Sequence, residues 1–176
     1  DFDCDILSVI PIEKKSIDNL TKNYGNFAVL LSDGHISYIW SDSCMNLLFP
    51  TNDFTAVESG CGGLIFGLRN DGTVSVAFGE NNPEIVQEVR TWTNIIRISS
   101  SENHIIGLTR SGKVLVGGDK QYFEETGNWR NIKKIFAFDA IPFAHAQNDQ
   151  VFGIDEDGWL YIAGCPWNNA RQYWRK

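Results

Sequence analysis

His104 is the side chain in this 176-residue chain best suited to proton transfer, and it stands directly before the apolar run Ile105-Ile106-Gly107-Leu108. A general base needs a hydroxyl, thiol or carboxylate held beside it, and spacing along the sequence pairs none with His104. We therefore read its imidazole as a structural group that hydrogen-bonds a neighbouring repeat. His35 follows a turn glycine and reads as a solvated side chain, while His145 stands in a polar insertion. Carboxylates alternate at Asp1, Asp3 and Asp5 and again at Asp155 and Asp157, as oxygen ligands do in calcium loops. Neither run has the distal Glu of such a loop and the first lacks its glycine, so they read as a solvated terminus and a hairpin turn. Gly60-Cys61-Gly62-Gly63 has the glycine density of a phosphate cradle. No Lys or Ser/Thr follows in register, and a strand comes next where a P-loop needs a helix. Cys4, Cys44, Cys61 and Cys165 are far apart, with no Cys-x-x-Cys and no His at ligand spacing, which argues against zinc. They read as small apolar core residues, with disulfides left open should the protein be secreted. No catalytic residue, cofactor or metal site is expected, and the chain reads as a non-enzyme.

Aromatic residues in polar slots point instead to binding. Trp159 directly follows the turn glycine Gly158, where comparable turns place His35, Thr73 and Lys113. Trp167, Tyr122 and Phe123 fall in connections. Exposed Trp and Tyr are frequent anchors for partners, so these four are the expected partner-binding residues.

The charge balance narrows the partner. Fifteen Lys and Arg against 22 Asp and Glu leave a formal charge of −7. Counterion release from nucleic acid needs clustered basic residues, and Lys14-Lys15 and Lys133-Lys134 are too short for a footprint. No apolar run approaches the ~20 residues that span a bilayer, and no leader stands at the amino end, so we expect a soluble chain with neither nucleic acid nor membrane as partner. The chain begins at Asp1 rather than Met, which suggests removal of earlier residues or a piece of a longer product.

The elements that must carry these side chains repeat. Turn pairs Asp33-Gly34, Asp71-Gly72, Ser111-Gly112 and Asp157-Gly158 recur about every 40 residues, each between two short alternating apolar runs. We expect each to be a β-hairpin closed by a tight type I′ turn. The runs after the turns tend to end in glycine (Gly79, Gly118, Gly164), where another backbone is expected to pass closely. A third strand precedes each hairpin, marked by apolar residues three apart: Ile6 and Val9, Phe54 and Val57, Ile95 and Ile98, Ile132 and Ile135. Pro11 to Tyr24 and Ala137 to Asp149 are insertions, the first with room for a helical turn over residues 16–20. Short strands and turns at this period are the mark of propeller blades.

The run Trp92-x-Asn94-Ile95-x-x-Ile98, followed by Asn103-His104-x-x-Gly107-Leu108-x-x-x-Gly112-x-Val114, resembles the repeats of the regulator of chromosome condensation family, above all its bacterial members. Trp129-Arg130-Asn131-Ile132 and Asn70-Asp71-Gly72-Thr73-Val74 extend the likeness. The His104 slot holds Asn26, Leu64 and Gln150 in the other repeats, and the usual family ring has seven blades where four repeats are counted here. The resemblance implies a β-propeller devoted to protein recognition: the founding member is an exchange factor for a small GTPase, and a bacterial propeller of this type inhibits β-lactamases. Val151-Phe152-Gly153-Ile154 through Gly158-Trp159-Leu160-Tyr161 is similar to the core of tectonin-type lectin propellers, which implies a glycan as the alternative ligand.

The expectation is thus an all-β chain, residues 1–176 forming one β-propeller with repeats at approximately 4–50, 51–90, 91–127 and 128–174, either a small closed ring or part of a larger one. Trp92, Trp129, His104, Gly72, Gly112 and Gly158 are its structural repeat positions. Closure is expected by laying the first strand beside the last blade, and the role is binding a protein through loops between blades.

Overall fold

Alternation of apolar and polar residues over four to seven positions favours strands, and the computed structural model, which describes residues 4–12, 26–40, 44–78, 82–118, 123–139 and 149–164, contains four antiparallel sheets. The first holds β1 (Ile6–Ile12), β2 (Asn26–Leu31), β3 (Ile36–Trp40) and β4 (Cys44–Leu47) in that order. The second holds β5 (Phe54–Gly60), β6 (Leu64–Arg69) and β7 (Val74–Ala77). The third holds β8 (Ile95–Ser100), β9 (His104–Thr109) and β10 (Val114–Gly118), and the fourth β11 (Ile132–Phe138), β12 (Gln150–Asp155) and β13 (Leu160–Ala163). These sheets are propeller blades. In every one the first strand slips register at the same place: between Ile6 and Ser8, Phe54 and Ala56, Ile95 and Arg97, Ile132 and Lys134. Such a bulge sharpens local twist, and its fourfold recurrence is a repeat signal that spacing alone does not carry.

The turns are hairpins, but not of the expected type. Leu31 N donates to His35 O and Gly34 N to Leu31 O, and the same pair of bonds recurs at Arg69–Thr73, Thr109–Lys113 and Asp155–Trp159. Only the glycine is left-handed (Gly34 φ 86°, Gly72 83°, Gly112 78°, Gly158 85°). A type I′ turn needs two positive φ angles, so these are three-residue loops ending in a left-handed glycine. Asp33, Asp71 and Asp155 close theirs from the side chain, accepting bonds from His35 N, Thr73 N and Trp159 N respectively.

The Trp-x-Asn-Ile motif is explained by what it touches. Trp92 lies so flat on β9 that a Cβ on Gly107 would stand 2.8 Å from its ring, and Trp129 covers Gly153 in the same way. In the second sheet Phe54 takes this place over Gly67. Asn94 (φ 60°) and Asn131 (φ 57°) turn the chain in the left-handed region that Asn tolerates. That turn lets Ile95 N reach Gly72 O (3.0 Å) and Ile132 N reach Gly112 O (3.1 Å), while Phe54 N reaches Gly34 O (3.1 Å). The second, third and fourth blades are therefore each latched, backbone to backbone, onto the hairpin turn of the blade before.

Three apolar cores fill the seams. Ala28, Leu30 and Ile36 meet Phe54, Val57 and Ile65; Phe66, Leu68 and Val74 meet Ile95, Ile98 and Ile105; Ile106, Leu108 and Val114 meet Ile132, Ile135 and Val151. Strand β1 packs on β5, β5 on β8 and β8 on β11, so the first strands line a common axis. Closure differs from expectation: β1 hydrogen-bonds to β2 within its own sheet rather than lying beside the last blade, because Ser8 to Ile12 pair in continuous register with Leu30 to Asn26.

The connections hold three unforeseen elements. Helix α1 (Pro83–Val89) starts with proline in its first turn and buries Val86 and Val89, and a 3₁₀ turn covers Glu124–Asn128. The fourth strand of the first sheet is the other. Ala137 and Phe138, expected in an insertion, extend β11. The helical turn expected over residues 16–20 lies outside the described residues. No helix among the described residues is long and apolar enough to cross a membrane.

Candidate functional site

Because the blades share one strand order, the connection after each first strand emerges at one end of the axis and the glycine hairpin turns at the other. At the first end a cavity of about 220 Å³ opens between Pro11, Gly60, Ser101 and Asp139, at the ends of β1, β5, β8 and β11. Serines stitch its wall. Ser59 Oγ donates to Pro11 O (2.6 Å), Ser100 Oγ donates to Ser59 O (2.8 Å), and Ser99 Oγ accepts from Ala137 N (3.0 Å). Each bond crosses from one blade to the next, so the rim is tied together by hydrogen bonds to the backbone. Asp139 adds an acid, its Oδ1 accepting from Glu102 N at 2.5 Å. Glu58, on β5, is held back from ionising: burial pushes its carboxyl up to about 7, against the opposing effect of hydrogen bonds from Ser100.

Ser101, in the wall of this cavity, belongs to a constellation with the composition of a catalytic site. Ser101 Oγ donates to Asp149 Oδ2 (2.6 Å) and stands 2.8 Å from His104 Nδ1, which is itself 3.2 Å from Asp149 Oδ2. Asn103 adds its backbone N (3.0 Å) and Nδ2 (3.2 Å) to the same carboxylate oxygen. A nucleophilic serine must bond to one ring nitrogen while the acid holds the other. Here serine and acid converge on the same nitrogen and bond each other directly. All three side chains are also sealed, His104 at 0%, Ser101 at 4% and Asp149 at 5% exposure. The group thus joins the third and fourth blades as a polar rivet, with His104 beside Asp149 across the seam. Cys61, free and buried, adjoins it through Cys61 N to Ser101 O (2.9 Å). Burial, reinforced by the charge of Asp149, pushes its thiol up to about 12, which removes it from thiolate chemistry.

The sequence-derived binding residues divide. Trp159 is half-buried at the hairpin-turn end, away from the cavity, with its N donating to Asp155 Oδ1 (2.8 Å). Phe123 is not an exposed anchor. It is buried at 6%, with its ring centroid 4.5 Å from that of His104, because the chain entering the 3₁₀ turn folds it over the rivet. Tyr122 and Trp167 lie outside the described residues. Trp92 and Trp129 are buried in the seams, and Gly72, Gly112 and Gly158 occupy the turns. His35 is not merely solvated: its Nδ1 lies 2.9 Å from Asp33 Oδ2. Bonds from His35, first through its backbone, bring the Asp33 carboxyl down to about 2. Among the described residues no group of three His, Cys, Asp or Glu is placed to hold a metal.

Solved structures with this arrangement are propellers. The chain is similar to Prp20p from Saccharomyces cerevisiae, reported with its binding to Gsp1p and histones, at TM-score 0.54 and 16% identity over 79% of this chain and 41% of that one. The same yeast protein, there called RCC1 and bound to Kap60, aligns at TM-score 0.52 and 16% identity, over 79% of this chain and 40% of that one. The CRINKLY WD40 ectodomain of the Arabidopsis thaliana receptor kinase ACR4 aligns at 0.54 and 13% identity, over 79% and 46%. The chain thus has the fold of these propellers while spanning less than half the length of each. No family model matches it, and no curated protein does.

Proposed function

We propose that residues 1–176 act as one protein-recognition propeller whose partner docks over the axial cavity. The observation that carries this reading is the contrast between the two ends of the axis. At the hairpin end all four turns are built alike, and the first three are latched to the following blade. At the cavity end the links differ in length: three residues join β5 to β6 and β8 to β9, whereas 13 separate β1 from β2 and 11 separate β11 from β12. Variation on a rigid frame is where binding specificity is usually carried. Glu102 and Asp139 at the rim, in a chain of charge −7, favour a partner that offers a basic segment. Prp20p, whose fold this chain shares, is described with protein partners.

The test is affinity capture with the purified chain, comparing Glu102→Lys at the cavity with Lys113→Glu at the opposite end. Loss of a specific, salt-sensitive partner with the first substitution and its retention with the second is the expected result; the reverse pattern would move the site to the hairpin turns. A lectin of this architecture would repeat an aromatic-and-polar pocket between blades. The seams are instead filled with apolar side chains, and the places equivalent to Trp159 hold His35, Thr73 and Lys113. Saturable binding on a glycan array would reverse that preference.

A further inference from the structure

At the cavity end of the second blade one residue departs from its counterparts. The chain leaving β7 passes through Phe78 at φ 60°, where the third and fourth blades place Gly118 (φ 102°) and Gly164 (φ 95°) at the same step from the start of the strand. Left-handed backbone costs a bulky side chain what it does not cost glycine. The ring is also 49% exposed, and it meets Tyr38 edge-on with centroids 5.2 Å apart. A strained backbone held at a half-exposed aromatic residue points to contact with another molecule rather than to packing. Ala77 pairs with Ile65, so Phe78 stands beside the start of β6, next to the Gly62-Gly63 link that lines the axial cavity. The floor between ring and cavity is bare, since a Cβ on Gly62 would meet nothing nearer than Asn82 Nδ2 at 3.8 Å. Another backbone has room to lie close over it. The same cavity is lined by the carboxylates Glu102 and Asp139. From β7 across β6 to β5, at the cavity wall, is two strand spacings of about 4.8 Å, a span that about three residues of extended chain cover.

We propose that Phe78 is the apolar anchor of the docking surface, an inference that rests on the reading that a basic segment of a protein partner docks over the cavity. The occupant is an extended stretch of that partner. Its Lys or Arg meets the acidic rim at Glu102 and Asp139, its backbone crosses Gly62 and Gly63, and an aliphatic or aromatic side chain about three positions away rests on the Phe78 ring. Charge complementarity fixes one end of the segment and the exposed ring fixes the other.

Selection of a random dodecapeptide phage library on the purified chain tests this with a defined probe. Enriched peptides should pair a basic residue with an apolar one about three positions apart. Synthesised and titrated by fluorescence anisotropy, they should lose about tenfold or more in affinity with Phe78→Gly and with Glu102→Lys, and keep it with Phe78→Trp and with Lys113→Glu at the opposite end. Phe78→Gly installs the residue of the third and fourth blades, so its melting temperature should stay within about 4 °C of the wild type. Phe78→Asn, whose side chain tolerates the same backbone, is the second variant without the ring. Affinity lost with Glu102→Lys but kept by Phe78→Gly and Phe78→Asn overturns the anchor and leaves docking at the cavity standing. Affinity indifferent to Glu102→Lys and to both ring-free variants overturns the two together. The anchor also falls if no enriched peptide carries the paired residues, or if both ring-free variants melt more than about 10 °C lower, which would make Phe78 a packing residue.

Discussion

Asp149→Ala should be the most damaging single polar substitution in the chain. Asp149 Oδ2 accepts from Ser101 Oγ at 2.6 Å, Asn103 N at 3.0 Å and Asn103 Nδ2 at 3.2 Å, and it sits 3.2 Å from His104 Nδ1. Removing the carboxylate leaves a buried hydroxyl and a buried imidazole without this acceptor. Breaking a buried, hydrogen-bonded charge group in this way costs about 3–5 kcal/mol. For a chain of this size each kcal/mol shifts the melting temperature by about 2–4 °C, so a fall of roughly 6–20 °C is expected. Urea denaturation with the slope held constant measures the free energy itself. Asp149→Asn, which keeps an acceptor and loses the charge, should cost about 1–3 kcal/mol. If Asp149→Ala loses less than about 1 kcal/mol, the cluster does not rivet the third blade to the fourth, and its convergence has another purpose.

Three other outcomes follow from the same structure. Gly107→Ala places a methyl 2.8 Å from the Trp92 ring and should destabilise by about 1–3 kcal/mol, whereas Gly158→Ala, with nothing within 4 Å of the added atom, should cost only the backbone strain of φ 85°, about 1 kcal/mol. Denaturation of the two variants side by side separates packing from strain. Glu58 is an acid whose folded-state carboxyl is raised from 4.5 to about 7, so its contribution favours the fold below pH 4.5 and is lost as pH rises through 7. Stability of Glu58→Gln minus wild type, followed over that interval, should therefore climb by about 3 kcal/mol, and a flat difference would show the carboxyl to be solvated. Cys61 should resist alkylation in the native state at neutral pH and react only on unfolding; rapid labelling by iodoacetamide would contradict its burial.

Most of the architecture is legible in the sequence because it rests on local signals. The recurring glycine turns, the apolar pair three residues apart and the Trp-x-Asn-Ile motif each act within a few positions, and each stands in the structure where spacing puts it. The close backbone approach expected at Gly118 and Gly164 is also present, from Asn103 O and Asp149 O respectively. What the sequence hides is long-range. Ser101 and Asp149 are 48 positions apart and their bond follows an insertion, so nothing marks Asp149 as the partner of His104. Phe123 sits where the other connections offer no equivalent, and its polar neighbours Glu124 and Glu125 disguise a buried ring. The cavity rim escapes notice because its serines act through backbone carbonyls of adjacent blades. The turn type is hidden for a different reason: Asp-Gly suits both a two-residue loop and the end of a three-residue one, and only the hydrogen-bond register separates them.

Docking over the axial cavity is tested most directly by a photo-crosslinking amino acid placed at residue 102 and, in a second preparation, at residue 113, each exposed to the soluble proteins of the source cells. A discrete adduct from position 102 that unlabelled chain competes away, with none from position 113, is the expected result. Competed adducts from position 113 alone would contradict it.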